Sequence, residues 1–193
     1  MDLSGNAWDN RYLNNDIGWD LGAVSPPLKE YFDQLENNEI KILIPGGGNS
    51  YEAAYLFENG FKNVFVVDVS KTAIENIQKR IPSIPGSQLI HGNFFDVEDA
   101  FDLIIEQTFF CAIHPNLRED YVVKMNQLLK PTGKLVGVMF NVPLFKDRPP
   151  FGGKKEIYLD YFKPYFKIAT FKSCYNSHTS RQGRELFINL VKL

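Results

Sequence analysis

The chain has 193 residues, 44% hydrophobic and 23% charged, with a formal net charge of −2. That length buries one core and fits one domain, and the near-neutral balance lacks the basic field that nucleic-acid binders use. No apolar run reaches membrane-spanning length, and the polar, acidic opening MDLSGNAWDN is no signal peptide.

In chain order, Met1–Ser25 has little periodicity but holds both tryptophans, Trp8 and Trp19. Ser25 reads as an N-cap with Pro26 at the first helical position. Leu28, Tyr31, Phe32 and Leu35 follow at helical spacing, and Asn37 and Asn38 close that helix. Helix and strand then alternate. Ile40–Ile44 is a β-branched strand, Tyr51–Asn59 a helix ended by Gly60, and Val64–Val67 a strand ending at Asp68. Ser70 caps a helix through Arg80. Gln88–His91 is a third strand, followed by Asn93-Phe94-Phe95-Asp96, and Phe101–Ile105 a fourth, ending at Glu106 and Gln107. Asn116–Leu129 is a helix that Pro131 and Gly133 turn into a fifth strand, Lys134–Phe140.

The end differs. After a Pro/Gly-rich loop, Pro143–Lys155, and a short helix near Glu156–Lys163, two strands follow with no helix between them, Phe166–Cys174 and Glu185–Val191. Strands separated by helices imply a parallel sheet covered on both faces, and consecutive strands without a crossover pair antiparallel. The expected fold is α/β: a Rossmann-like, doubly wound, mostly parallel seven-stranded sheet with a C-terminal antiparallel hairpin. One domain over 1–193 is expected, with a cover segment and helix (1–38), a cofactor-binding core (39–141), and a lid loop with terminal strands (142–193). The hairpin is how class I S-adenosylmethionine (SAM) methyltransferases finish, an analogy of fold that leaves the site to carry the function.

"ILIPGGGNSYEAA", Ile42–Ala54, is a strand-to-helix glycine turn. Asp68 ends the next strand at the spacing of a ribose-binding acid, which NAD and SAM folds share. The third glycine of a dinucleotide turn is here Tyr51, and Glu52 near the helix N-terminus repels a diphosphate, so the turn favours SAM over NAD. Strand-end residues Gly46–Ser50, Asp68, Asn93–Phe95 and Glu106–Gln107 should face one crevice. There Phe94 and Phe95 either sandwich an adenine whose edge Asn93 or a backbone amide reads, or are simply core.

The segment "EQTFFCAIHPNLREDYVVKMNQLLKPTGKL", Glu106–Leu135, together with "WDNRY…GWDLGAVSPPL", resembles the thiopurine S-methyltransferase family, and within it the halide/thiol methyltransferases. "RQGRE", Arg181–Glu185, resembles the end of those enzymes. The resemblance implies an N-terminal segment folded over the SAM site, with Trp8, Tyr12 and Trp19 contacting the cofactor. It places Gly46 and Gly48 in the turn, Asp68 on the ribose, Asn93 and Phe94 beside the adenine, and Gln107 at the strand-four end where the plant enzymes have Tyr. It also implies S-adenosylhomocysteine as product.

Transfer of a methyl group to sulfur is an in-line displacement that needs alignment, a dry pocket and no metal. The aromatic bias suits this, because Trp8 and Trp19 can lie against a sulfonium or simply pack the arm. Phe110, with Phe109, is wall or core. Arg148 or Lys154 in the loop "FKDRPPFGGKK" either attracts an anionic acceptor under a lid or is solvated, and Arg181 is a second such candidate. No catalytic base is identified. His91 reads as structural, His114 as part of a helix start, and His178 as solvated. Cys111 and Cys174 are far apart and read as reduced thiols of a cytoplasmic protein. The expectation is a SAM-dependent methyltransferase of a small acceptor (a thiol, halide or related chalcogen), a monomer or weak homo-oligomer without nucleic-acid, membrane or metal partners. A non-catalytic SAM-binding module and a nicotinamide-dependent oxidoreductase are the rivals. A nucleic-acid or protein methyltransferase lacks its acceptor motif here, since the strand-four end reads Glu106-Gln107-Thr108-Phe109.

Overall fold

The strands of the computed structural model, which describes residues 2–193, are β1 (Ile42–Pro45), β2 (Val64–Asp68), β3 (Leu89–His91), β4 (Phe101–Gln107), β5 (Leu129–Phe140), β6 (Phe166–Ser173) and β7 (Glu185–Lys192). They form one sheet in the order β3-β2-β1-β4-β5-β7-β6. The first five run parallel, and β7 lies antiparallel between β5 and β6. The order reverses at β1, between β2 and β4. The crevice beyond the carboxyl ends of those strands is therefore the place where such a sheet binds ligands.

Helices α1 (Gly5–Leu13), α2 (Pro26–Phe32), α3 (Tyr51–Glu58), α4 (Lys71–Arg80), α5 (Arg118–Leu128) and α6 (Lys155–Phe162) complete the fold. Side chains alternate across the sheet, so each strand feeds both faces. Leu43, Val67, Ile104, Leu135 and Met139 pack beneath Tyr121 and Met125 of α5 and Tyr158 and Phe162 of α6. On the other face Ile42, Ile44, Val66 and Ile105 meet Leu28 and Phe32 of α2, Leu56 of α3 and Ile77 of α4. Each such fully buried side chain stabilises the fold by about 1.5–3 kcal/mol.

The boundaries depart from expectation in four places. The N-terminal stretch without periodicity contains α1, capped by Ser4 and without a buried residue; a helix held by polar contacts carries no apolar stripe. α2 stops at Phe32, because Leu35 belongs to the following turn. α5 begins at Arg118, after a 3₁₀ turn at Pro115–Leu117. β5 begins at Leu129 rather than Lys134, because the expected turn is absorbed as a bulge. Phe101 pairs with Leu129 but Leu103 with Lys134, and Thr132 takes the slack in the left-handed region at φ 64°.

Candidate active site

The turn after β1 is built on left-handed backbone. Gly46 (φ 57°), Gly48 (φ 56°) and Ser50 (φ 44°) all lie there, a conformation that only glycine adopts without strain. The Gly46 amide donates to Val67 O at 2.8 Å, which draws the turn toward the end of β2. Asp68 closes the arrangement: its Oδ2 accepts from the Gly48 amide at 2.9 Å and its Oδ1 from the Ser70 amide at 2.8 Å. Burial pushes the Asp68 carboxyl above the usual carboxylate range, and the two amides pull it back. The Phe109 ring lies flat on Gly46, where an added Cβ would stand 2.1 Å from it. Ser50 Oγ, at the start of α3, is buried without a hydrogen-bond partner.

The N-terminal arm covers this turn. α1 docks at the start of α4 through Gly5, whose added Cβ would stand 2.2 Å from Val69 O in the turn between β2 and α4. It docks also through Asp9, which accepts from Ser70 Oγ at 2.6 Å and the Thr72 amide at 2.9 Å. Asp9 thereby helps cap α4. Docking brings Tyr12 Oη and Trp19 Nε1 to Gly48, where an added Cβ would stand 3.0 and 3.8 Å from them. Trp19 meets Trp8 and Tyr12 edge-on, with centroids 5.4 and 5.6 Å apart. The Arg11 guanidinium sits 4.3 Å over Trp19 and 5.3 Å over Trp8, held by Asp16 at 2.9 Å. A cation thus already stacks on these rings. Burial raises the Tyr12 phenol far above its ordinary range, so it stays neutral.

Polar ties fix the rest of the arm. Asp20 accepts from Asn49 in the glycine turn. The Ser25 amide donates to Glu52 at 3.1 Å, and Ser25 Oγ donates to Gln107 Oε1 at 3.2 Å. Arg181 donates to Trp19 O and pairs with Glu185 at 3.3 Å, both side chains being buried.

The structure therefore gathers Trp8, Tyr12, Trp19, Gly46, Gly48, Asp68 and Gln107 around one strand edge. Other expected residues are placed differently. Phe94 is core, with a ring 3% exposed that packs on Phe95, Phe109 and Tyr121, so it is not a free adenine wall. Asn93 is exposed and accepts from the Phe95 amide at 3.1 Å. Phe110 is wholly buried beneath α5 and α6, so Phe109, not Phe110, faces the turn. Arg148 is exposed, stacked 4.0 Å over Phe145. Arg181 serves the arm rather than standing free. Glu52 turns to Ser25, and Tyr51 lies under Arg80 at 4.0 Å, so neither points at a ligand's phosphates.

Glu106, which the sequence marks as a strand-end residue facing the crevice, turns into the core instead. It is fully buried, accepting from Tyr121 Oη and, at 3.1 Å, from the Phe110 amide. Burial pushes its carboxyl up to about 7. Gly137 on β5 makes room for it: an added Cβ there would stand 2.0 Å from Glu106 O. The signal in the sequence is an acid that ends the apolar run Leu103-Ile104-Ile105 without yet leaving the strand. Thr108, two residues on, is left-handed at φ 59° and aims Phe109 at Gly46. Among the described residues no cluster of three metal-ligating side chains occurs, and no helix is long and apolar enough to cross a membrane.

Solved structures share this architecture. A TehB-like SAM-dependent methyltransferase from Corynebacterium glutamicum superposes with TM-score 0.70 at 16% identity, over 98% of both chains. The 1,6-didemethyltoxoflavin-N1-methyltransferase of Burkholderia thailandensis, solved with S-adenosylhomocysteine, gives 0.76 at 14% identity, over 97% of this chain and 86% of its own. The fold is that of SAM-dependent methyltransferases. Sequence comparison narrows the class. A probable thiol methyltransferase 2 of Arabidopsis thaliana is 31% identical over 153 residues, 77% of this chain and 67% of that protein. Thiocyanate methyltransferase 1 of Brassica oleracea is 26% identical over 184 residues, 92% and 81% respectively. The family model of thiopurine S-methyltransferase matches residues 3–188. The chain belongs to the thiopurine S-methyltransferase family and is a SAM-dependent methyltransferase.

The residues at the turn fit that cofactor. Ser50 Oγ is a buried polar atom without a protein partner. The Gly46–Gly48 cradle is one that a Cβ would fill, and Asp68 keeps lone pairs beyond the two that its amide donors use.

Proposed function

We propose that the acceptor is a small soft nucleophile, a thiol, thiocyanate or halide ion or related chalcogen, and that the aromatic cover selects it. Bound SAM supplies an electrophilic methyl group on a sulfonium. The rest falls to the chain. Asp68 is the acceptor of the ribose hydroxyls, oriented by the Gly48 and Ser70 amides. Gly46 and Gly48 let the backbone approach, with Gln107 and the Asn93–Phe95 segment on the flank. Tyr12, Trp19 and Phe109 exclude water, which strips an anionic acceptor of hydration and favours its attack; Trp8 backs Trp19.

The observation that carries this reading is that cover: three aromatic side chains stand directly against the glycines. The names of the Arabidopsis and Brassica relatives support the sulfur chemistry. A base is unnecessary, because a thiol of pKa near 8 is already partly ionised. The proposal extends to a single working domain over 1–193, acting in the cytoplasm as a monomer or weak homo-oligomer without nucleic acid. The test is transfer of labelled methyl from SAM to a panel of aliphatic thiols, aromatic thiols, thiopurines, thiocyanate and iodide. Turnover on at least one of them is expected; labelling of none of them overturns the acceptor class.

A further inference from the structure

Arg118 opens α5 as a buried cation, 5% exposed, with no carboxylate in ion-pair distance among the described residues. Taking a charge out of water without a counter-charge is costly, and the N-terminus of a helix is the wrong end for a cation. What Arg118 does with that position is specific. Its Nη2 donates to Phe151 O and Gly152 O, both at 3.2 Å. Its guanidinium stacks 4.8 Å over Phe110 and 5.4 Å over Tyr158. Its Nε has no partner.

Both carbonyls belong to the segment 141–154 that leaves the carboxyl end of β5. One further bond pins that segment to the turn, the Phe151 amide donating to Cys111 O at 2.6 Å, and one braces it internally, the Gly153 amide donating to Val142 O at 3.1 Å. Gly153 also presses on Tyr158, where an added Cβ would stand 2.2 Å from Oη. β5 pairs with β4 in parallel, so this segment roofs the same strand edge as Phe109, on the side of β4 away from Asp68.

We infer that Arg118 is the positioning residue of the acceptor wall. It clamps the Phe151–Gly152 carbonyls onto the Phe109–Cys111 turn and so sets the space beside Phe109 without touching the cofactor half of the site. The planar fork of Arg reaches two carbonyls at once, which a lysine does not reproduce. This inference rests on the proposed acceptor class and on Phe109 standing beside the transferred methyl group, which puts the acceptor over β4 and β5.

Hydrogen exchange of wild type and Arg118→Gln, read on peptides spanning 141–154, tests the clamp, with SAM affinity and acceptor kinetics measured alongside. The loop amides should exchange about tenfold faster and the acceptor KM should rise about tenfold, as loss of charge-assisted hydrogen bonds implies. SAM affinity should be unchanged. Arg118→Lys should fall between the two. If Arg118→Gln does not fold, Gly153→Ala pries the same segment from Tyr158 and should give the same pattern. Unchanged loop exchange in a folded variant overturns the clamp. A loosened loop with unmoved acceptor KM overturns its role in the acceptor wall. A wild-type enzyme inert toward every thiol, thiocyanate and halide fails the acceptor reading instead, and loop exchange then decides the clamp alone.

Discussion

Gly46 carries two constraints at once. Its φ of 57° strains any L side chain, and the Phe109 ring occupies the volume that a Cβ would take. Gly46→Ala should therefore destabilise the protein by about 1–3 kcal/mol and abolish measurable SAM binding. Calorimetry that finds wild-type affinity would refute the cradle. Asp68→Ala should lose SAM at tens of micromolar too, but with a smaller effect on stability, because it also removes a half-buried carboxylate whose pKa burial raises. Glu106 makes a different prediction. Its folded pKa, about 7, lies above the 4.5 of the free group. Below the lower value both states hold the proton and the group is neutral to stability. Between the two values only the folded state holds it, so stability falls as pH rises, by about 1.4 kcal/mol per unit, and levels off above about 7. Urea denaturation at pH 5 and pH 8 should show this decline in wild type and a flatter response in Glu106→Gln. Equal slopes would show that the carboxylate ionises freely in the fold.

At the scale of elements, the arm shows where sequence reading stops. Strands β1, β2 and β4 and helix α4 are legible, because short continuous apolar runs, the Ser70 cap and the Arg80–Pro82 stop all point the same way. α1 is not legible: its contacts are polar and distant, with Asp9 on Ser70 and Thr72, and no local pattern encodes them. Phe109 and Phe110 are alike in sequence; only the left-handed Thr108 decides which ring meets the crevice. The sequence offers Arg181 as a candidate for an anionic acceptor, yet its guanidinium is committed to Trp19 O and Glu185. Arg181→Met should cost about 3–5 kcal/mol, because it strands a buried Glu185, and Arg181→Met with Glu185→Gln should recover part of that. Both variants should release Trp19, seen as a red-shifted tryptophan emission and weaker SAM affinity. An unchanged spectrum would mean that Asp20 and Ser25 hold the arm alone.

At the scale of the whole molecule, the order β3-β2-β1-β4-β5-β7-β6 concentrates the chemistry on one edge. With a net charge of −2, the chain offers polyanions no general attraction, so a mobility shift with single- or double-stranded oligonucleotides should be absent at physiological salt; a salt-sensitive shift would overturn the small-molecule assignment. The two halves of the site also differ in when they come into being. Trp19 and Arg181 lie 162 positions apart, and β7, which follows Arg181, is the strand that joins β6 to the sheet. During synthesis the glycine turn and Asp68 emerge early and have every local partner that they need. The cover, tied early through Asp9, Asp20 and Ser25, gains its tie from Trp19 O to Arg181 only after both β5 and β6 have been made. A nascent chain that has not yet reached Arg181 thus holds the cradle under a cover with one tie missing, so the cofactor half is laid down well before its cover is fully fastened.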